Sequence, residues 1–173
     1  MTGNLIYTER VSSSRTQLLF IALTVLFGVL AAWRVKAARA SRLARVFLLF
    51  AAFFLFYVLN YRTLVIRLTP AALTLRFGLF TWTVPLENVA GCSHDELPTP
   101  MRLGGAGIHF MMVRQRYRVL FNFLEHPRVV VALKSKAGPV QDVSFSTRQP
   151  DQILPLIQAV IAPRKLKSSY QAA

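Results

Sequence analysis

Residues 46–61 read VFLLFAAFFLFYVLNY between Arg45 and Arg62, and fifteen of these sixteen positions are apolar or aromatic, five of them Phe. The run holds no Gly, no Pro and no charge, and Asn60 is its one polar residue. As a helix it covers about 24 Å, less than the ~30 Å hydrocarbon layer of a bilayer. Arg45 and Arg62 can reach outward from its ends, and Asn60 and Tyr61 suit the headgroup level, so spanning is compatible with its length but not forced. A second run precedes it. Residues 18–33 (LLFIALTVLFGVLAAW), extended to 17–35 by Gln17 and Val35, cover about 28 Å, with Trp33 where an interfacial aromatic is expected. We therefore expect a two-helix transmembrane hairpin over 17–62, with helices at 17–35 and 45–62.

Two other readings compete. Arg10 and Arg15 precede the first run and Ala38-Arg39-Ala40 has a small-x-small form, as a signal peptide would. Charges before that site and a second apolar run after it argue the other way. The runs also resemble the buried helical hairpin of a soluble domain, but neither carries the polar stripe at helical spacing that a surface helix needs.

The 173-residue chain is long enough for one domain plus an anchor, with 21 Lys and Arg against seven acids and a net charge of +14. So basic a soluble chain would point to nucleic acid. Beside two apolar runs, the charge points instead to anionic membrane lipid, and no nucleic-acid partner is expected. The single Cys92 excludes a disulfide framework and a cysteine metal site. Between the runs, Arg34, Lys36, Arg39, Arg42 and Arg45 stand with no acid, either as a solvated turn or in contact with headgroups. Five bases there are balanced by Arg10, Arg15, Arg62, Arg67 and Arg76 outside the pair, so charge leaves the topology open.

Residues 1–16 show no clear period and are read as a tail on the polar side of the membrane. From Thr63 the period changes to two: Leu64, Ile66 and Leu68, then Leu73, Leu75 and Phe77, then Phe80, Trp82 and Val84, with breaks at Thr69-Pro70-Ala71 and at Gly78. Residues 85–93 read as a further short strand, and 95–107 (DELPTPMRLGGAG) as the longest break. Strand patterns resume at 108–113, 117–121, 129–134 and 140–147. About seven strands in this space fit a small antiparallel barrel or sandwich. A helix is expected over 150–162: Pro150 suits the first helical position, Asp151 the first turn, and Ile153, Leu156, Ile157, Val160 and Ile161 make one apolar face. Pro155 predicts a kink or a late start, Pro163 a stop, and 163–173 a loose basic tail.

Two transmembrane helices, about seven antiparallel strands and a C-terminal amphipathic helix resemble the bacterial pleckstrin-homology-like (PH-like) membrane proteins. The segment LVIRLTPAALTLRFGLFTWTVPLENVAG is similar to the two strands, Gly turn and "PL-x-x-V" strand of that family. Gly104, Gly105, Gly107 and Ile108 resemble the Gly-Gly-x-Gly-Ile segment of one subgroup, and Thr147, Pro150 and Ile153 its helix entry. Arg102 and Ala106 stand where that subgroup usually has an acidic or aromatic residue. The resemblance covers 63–162 and implies an α+β PH-like domain, no enzymatic activity, and a cytoplasmic β domain. Lipid binding and assembly or scaffolding are both in keeping with it.

No catalytic constellation is legible. His94, His109 and His126 lack ligand-spaced partners, so no metal is expected. Asp95-Glu96 reads as a solvated turn, Cys92 as a small buried residue, and the serines at 12–14 form no nucleophile elbow. Gly104-Gly105-Ala106-Gly107 fits neither a dinucleotide fingerprint nor a P-loop, and reads as backbone geometry: positive φ, or close packing of the loop onto the sheet. Arg102, Arg114, Arg116, Arg118 and Arg128 are the best candidates for a functional patch, because Arg114, Arg116 and Arg118 share one side of the alternation across a turn. The expected function is a non-enzymatic, cofactor-free binding or scaffold module at the bilayer surface. Its contacts to anionic lipid or an acidic partner would come from Arg34, Lys36, Arg39, Arg42, Arg45, Arg62 and the domain arginines. The alternative is a subunit, of a homo-oligomer or with another membrane protein, that assembles through its helices by Phe47, Phe50, Phe54, Gly28, Ala51 and Ala52.

Overall fold

Alternation of apolar residues builds the first sheet. The computed structural model describes residues 4–37, 42–95 and 106–171, with 163–171 as backbone alone. Strand β2 (Thr63–Leu68) turns Leu64, Ile66 and Leu68 inward, and β3 (Ala72–Phe77) does the same with Leu73, Leu75 and Phe77, all fully buried. β2, β3 and β4 (Phe80–Pro85) pair antiparallel in sequence order.

The sheet has a fourth member that the sequence reading assigned to a tail. Residues Tyr7–Ser12 form β1 and pair antiparallel with β2, from Tyr7 opposite Leu68 to Ser12 opposite Thr63. The physical reason is twofold. β1 supplies the hydrogen bonds that the edge of β2 would otherwise lack. Its side chains are also clamped from the far end of the chain: Glu9 accepts from Thr147 Oγ1 and from the Arg148 amide, and Arg148 Nη2 donates to the Ser12 carbonyl at 3.1 Å. Burial and the Glu9 carboxylate push the Tyr7 hydroxyl well above its ordinary pKa, so it stays a neutral donor to Glu9 at 2.9 Å.

The second sheet contains β5 (Val89–His94), β6 (Gly107–Val113), β7 (Arg116–Asn122), β8 (Arg128–Ala137) and β9 (Val140–Ser146), in the order β5-β8-β9-β7-β6. The described strands thus number nine, not seven, and they are not all antiparallel: β7 and β9 pair parallel, Val119 opposite Val143. Two hairpins, β6–β7 and β8–β9, lie side by side in the same sense, which forces one parallel seam. The two sheets share one core, in which Phe77 of the first lies 6.4 Å from Phe121 and 5.0 Å from Phe123. Each such ring contributes ~1.5–3 kcal/mol by its burial.

Helix α3 (Pro150–Gln171) closes the core with Ile153, Ile157 and Ile161. It starts at Pro150, with no late start, and continues past Pro163 rather than ending there. A proline removes its own N–H bond but leaves those of its neighbours, so a long helix survives it at a cost.

Helices α1 (Ser14–Ala37) and α2 (Arg42–Asn60) form an insertion between β1 and β2. α1 contains the expected 17–35 and extends beyond both of its ends, whereas α2 is shifted by two to three residues from the expected 45–62. α1 begins early because Ser13 caps it, its Oγ accepting from the Thr16 amide at 3.0 Å. α2 ends at Asn60 because Thr63 already belongs to the sheet. Phe27 of α1 stacks on Phe50 at 5.1 Å and Phe54 at 5.6 Å, and Phe20 meets Tyr57 at 5.0 Å. Both helices are long and apolar enough to cross a membrane, and only 11% and 17% of their apolar windows are buried inside the fold. The core helices of a soluble domain would be buried far more fully.

The hairpin is seated on the sheets at two glycines. Gly78 has φ +54, and a Cβ there would lie 2.4 Å from the Asn60 carbonyl oxygen. Gly107 has φ +102, and its Cβ would lie 3.3 Å from the Tyr57 ring and 3.4 Å from Tyr61. The close packing expected of the glycine loop is thus made by Gly107 against α2 rather than against the sheet; Gly104 and Gly105 lie outside the described residues.

Candidate functional site

The structure divides the sequence-predicted bases into groups that never meet. Arg34 and Lys36 end α1, and Arg42 and Arg45 begin α2, at the end of the hairpin away from the sheets. About twenty residues of helix, some 30 Å, separate them from Thr16, which touches Leu124 in the domain. Arg34 lies over the Trp33 ring at 5.0 Å, and Arg39 is outside the described residues. Arg62 is exposed at the α2 exit.

Within the domain, Arg116 and Arg118 do not form the open patch expected of them. Arg118 Nη1 donates to Asp95 Oδ1 at 2.6 Å and its Nη2 to Asp142 Oδ2 at 3.4 Å. Arg116 Nη2 meets Asp142 Oδ1 at 2.7 Å, and its bond to that carboxylate raises its pKa further. Ser144 Oγ completes the cluster with a 2.6 Å bond to Asp95. Two arginines and two aspartates neutralise one another, with the Arg118 side chain 10% exposed and both carboxylates 3%. Register explains the cluster: Arg118 lies opposite Asp142 across the parallel seam. Asp95 is therefore a buried ion-pair partner, not half of a solvated turn, and Glu96 and Arg102 lie outside the described residues. Arg128 is also buried. With Asp95, Asn122 and His126 it lines a cavity of about 280 Å³ beside this cluster.

Arg114 occupies the β6–β7 turn with φ +48, followed by Gln115 at φ +63. Two consecutive left-handed residues define the mirror-image two-residue hairpin turn that Asn-Gly makes without strain. The double change Arg114→Asn with Gln115→Gly is therefore expected to stabilise the protein by ~1–2 kcal/mol, read as a higher midpoint in thermal unfolding. Unchanged or lower stability would show that the turn is not strained.

The remaining polar side chains offer little chemistry. Cys92 Sγ is 3.8 Å from the Leu154 carbonyl oxygen, His94 faces Asp151 at 3.4 Å on the surface, and His126 Nε2 is 2.9 Å from the Ser12 carbonyl oxygen. Among the described residues no group of three His, Cys, Asp or Glu is placed to hold a metal ion.

What sequence reasoning missed lies on the outer face of the four-stranded sheet. Arg10 of β1 stands opposite Val65, Val65 opposite Arg76 of β3, and Arg76 opposite Thr81. One step along, Thr8, Arg67, Thr74 and Thr83 form the next row. Arg10, Arg67, Thr74, Arg76 and Thr81 line a single open groove with Thr63. None of the three arginines has a carboxylate partner among the described residues, and Glu9, next to Arg10, points through the sheet to Thr147. The signal was present: Arg67 and Arg76 hold the outward positions of their alternations, and Thr8, Arg10 and Ser12 alternate in the same way. At the corner of this sheet nearest the hairpin Leu79 is 78% exposed, and Phe80 lies 6.4 Å from Phe56 of α2.

Comparison of the chain with protein-family models, curated proteins and solved structures gives no match.

Proposed function

We propose that this chain is a non-enzymatic, membrane-anchored binding module. Its α1–α2 hairpin lies in the bilayer, and its two-sheet domain, a PH-like unit in this reading, is held against the bilayer surface to contact anionic lipid or an acidic partner. The observation that carries the proposal is the seat between hairpin and sheets. β1 enters α1 through Ser13, α2 leaves into β2 through Tyr61 and Arg62, and Gly78 and Gly107 press against Asn60, Tyr57 and Tyr61. No linker remains to let the domain move away from the helices. The exposed Leu79, Phe80 and Leu59 continue the apolar surface of the hairpin onto the domain.

The alternative, assembly through the helices, has less support, since Phe47, Phe50 and Phe54 already surround Phe27 within the hairpin and Ala51 is buried. Gly28, with open space around it, and the exposed Ala52 are left for such contacts, together with the outer part of Phe50.

The test is made on the full chain with one reporter before Met1 and another after Ala173. Both are expected on the same side, the cytoplasm in the PH-like reading, and the protein is expected to stay with the membrane through an alkaline carbonate wash. Release by carbonate, or reporters on opposite sides, would overturn the proposal.

A further inference from the structure

We infer that the outer face of the four-stranded sheet binds the phosphodiester groups of anionic lipids, with Arg10 and Arg76 as the main contacts. The inference rests on the membrane-anchored reading and deepens it. Arg10 and Arg76 flank Val65 on either side, so their backbones are about two strand spacings, ~10 Å, apart. Two guanidinium groups that far apart can converge on one phosphate between them. Arg67, two residues further along β2, completes a triangle with sides of ~8–10 Å. Threonine hydroxyls from Thr63, Thr74 and Thr81 line the groove between the arginines. Arg76 Nε donates to the Gly78 carbonyl at 3.0 Å, which holds the guanidinium in place while its terminal nitrogens keep their donors. A face with three cations, several hydroxyls and no carboxylate among its outward positions is complementary to phosphate.

The source of the phosphate follows from distance. Gly78, at the foot of the sheet, packs on Asn60 at the end of α2, and the Val65 row that holds Arg10 and Arg76 is ~7 Å along β2 from that foot at Thr63. A headgroup layer is roughly 5–8 Å deep, and an arginine at that height reaches into it. Arg67 is ~13 Å along, beyond the layer for a strand that rises from the surface. A bilayer lipid therefore depends on Arg10 and Arg76 more than on Arg67, whereas a soluble anion would use all three.

The experiment reconstitutes the full-length protein in nanodiscs of mixed phosphatidylcholine and phosphatidylglycerol. The lipids that remain bound after release are then counted by native mass spectrometry. Wild type is expected to retain phosphatidylglycerol over phosphatidylcholine by about thirtyfold, the scale of two basic residues near an anionic surface. R10Q/R76Q is expected to lose most of this preference, while R67Q keeps most of it and K134Q/K136Q, exposed on the second sheet, keeps all of it. No preference in wild type, a preference that R10Q/R76Q keeps, or an equal loss in K134Q/K136Q would overturn the inference. Equal losses in all three sheet arginines, together with full displacement by millimolar inorganic phosphate, would assign the face to a soluble anion and overturn the lipid assignment. Failure of the protein to enter nanodiscs would sink the membrane-anchored reading itself, an outcome distinct from a protein that enters them without lipid preference.

Discussion

Gly78→Ala is expected to destabilise the protein by about 3 kcal/mol and to loosen the domain from its helices. Two costs add. The left-handed φ of +54 carries a penalty of ~1–2 kcal/mol for any residue with a Cβ. The Cβ would also lie 2.4 Å from the Asn60 carbonyl oxygen and 2.9 Å from its Cα, and overpacking of this kind typically costs ~1–3 kcal/mol. Both atoms are backbone in the last turn of α2, so no side-chain rotation relieves the contact. Gly78→Asn separates the terms, because asparagine tolerates the left-handed region but keeps the Cβ. Thermal unfolding in detergent should rank wild type above Asn and Asn above Ala, while Leu79→Ala, at 78% exposure, stays near wild type. Protease cleavage around Arg62 should rise in the same order. An alanine variant within ~0.5 kcal/mol of wild type would show that α2 is not seated on the β3–β4 turn.

Asp95→Asn is expected to cost roughly 3 kcal/mol. The change keeps the shape of the side chain and removes its charge, leaving the Arg118 guanidinium, 10% exposed, with Asp142 alone at 3.4 Å. Breaking one side of a buried ion pair typically costs ~3–5 kcal/mol because the abandoned charge remains out of water. The partner on Asp142 differs: Arg116 is 43% exposed and can turn to solvent, so Arg116→Gln should cost far less, on the order of 1 kcal/mol. Replacing the pair together, Asp95→Leu with Arg118→Met, should recover most of the loss. Chemical denaturation of the four proteins measures all three differences. If Asp95→Asn and Arg116→Gln cost the same, the buried cluster does not stabilise the domain in the way its geometry implies.

The sequence displays those parts of the fold in which a short local pattern is enough. Leu64-Ile66-Leu68 and Leu73-Leu75-Phe77 announce their strands because each buries one whole face, and Gly78 marks the turn between β3 and β4. β1 was hidden because only Val11 of its six residues is fully buried and its partner lies beyond both helices. The parallel β7–β9 seam was hidden for another reason: alternation is the same whichever way the neighbouring strand runs. The candidate site suffered from both limits. Arg116 and Arg118 looked like open charge because Asp142, which neutralises them, meets them across that seam. Arg10, Arg67 and Arg76 looked unrelated because the row they form exists only once β1 has joined the sheet.

The position of β1 also ties the making of this protein to an order of events. Ser12 leaves the ribosome some fifty residues before Thr63, the residue it pairs with. At ~5–20 residues per second that is a wait of roughly 3–10 s, during which β1 has no edge to join. In the membrane-anchored reading, the chain between them must enter the bilayer and come back before the sheet can close. The finished strand pair then acts as a receipt for correct insertion: a hairpin that fails to return leaves β1 on one side and β2 without a neighbour. An unclosed edge carrying Leu64, Ile66 and Leu68 is the kind of surface that proteases and chaperones detect, so the sheet reports on an event in which it takes no part.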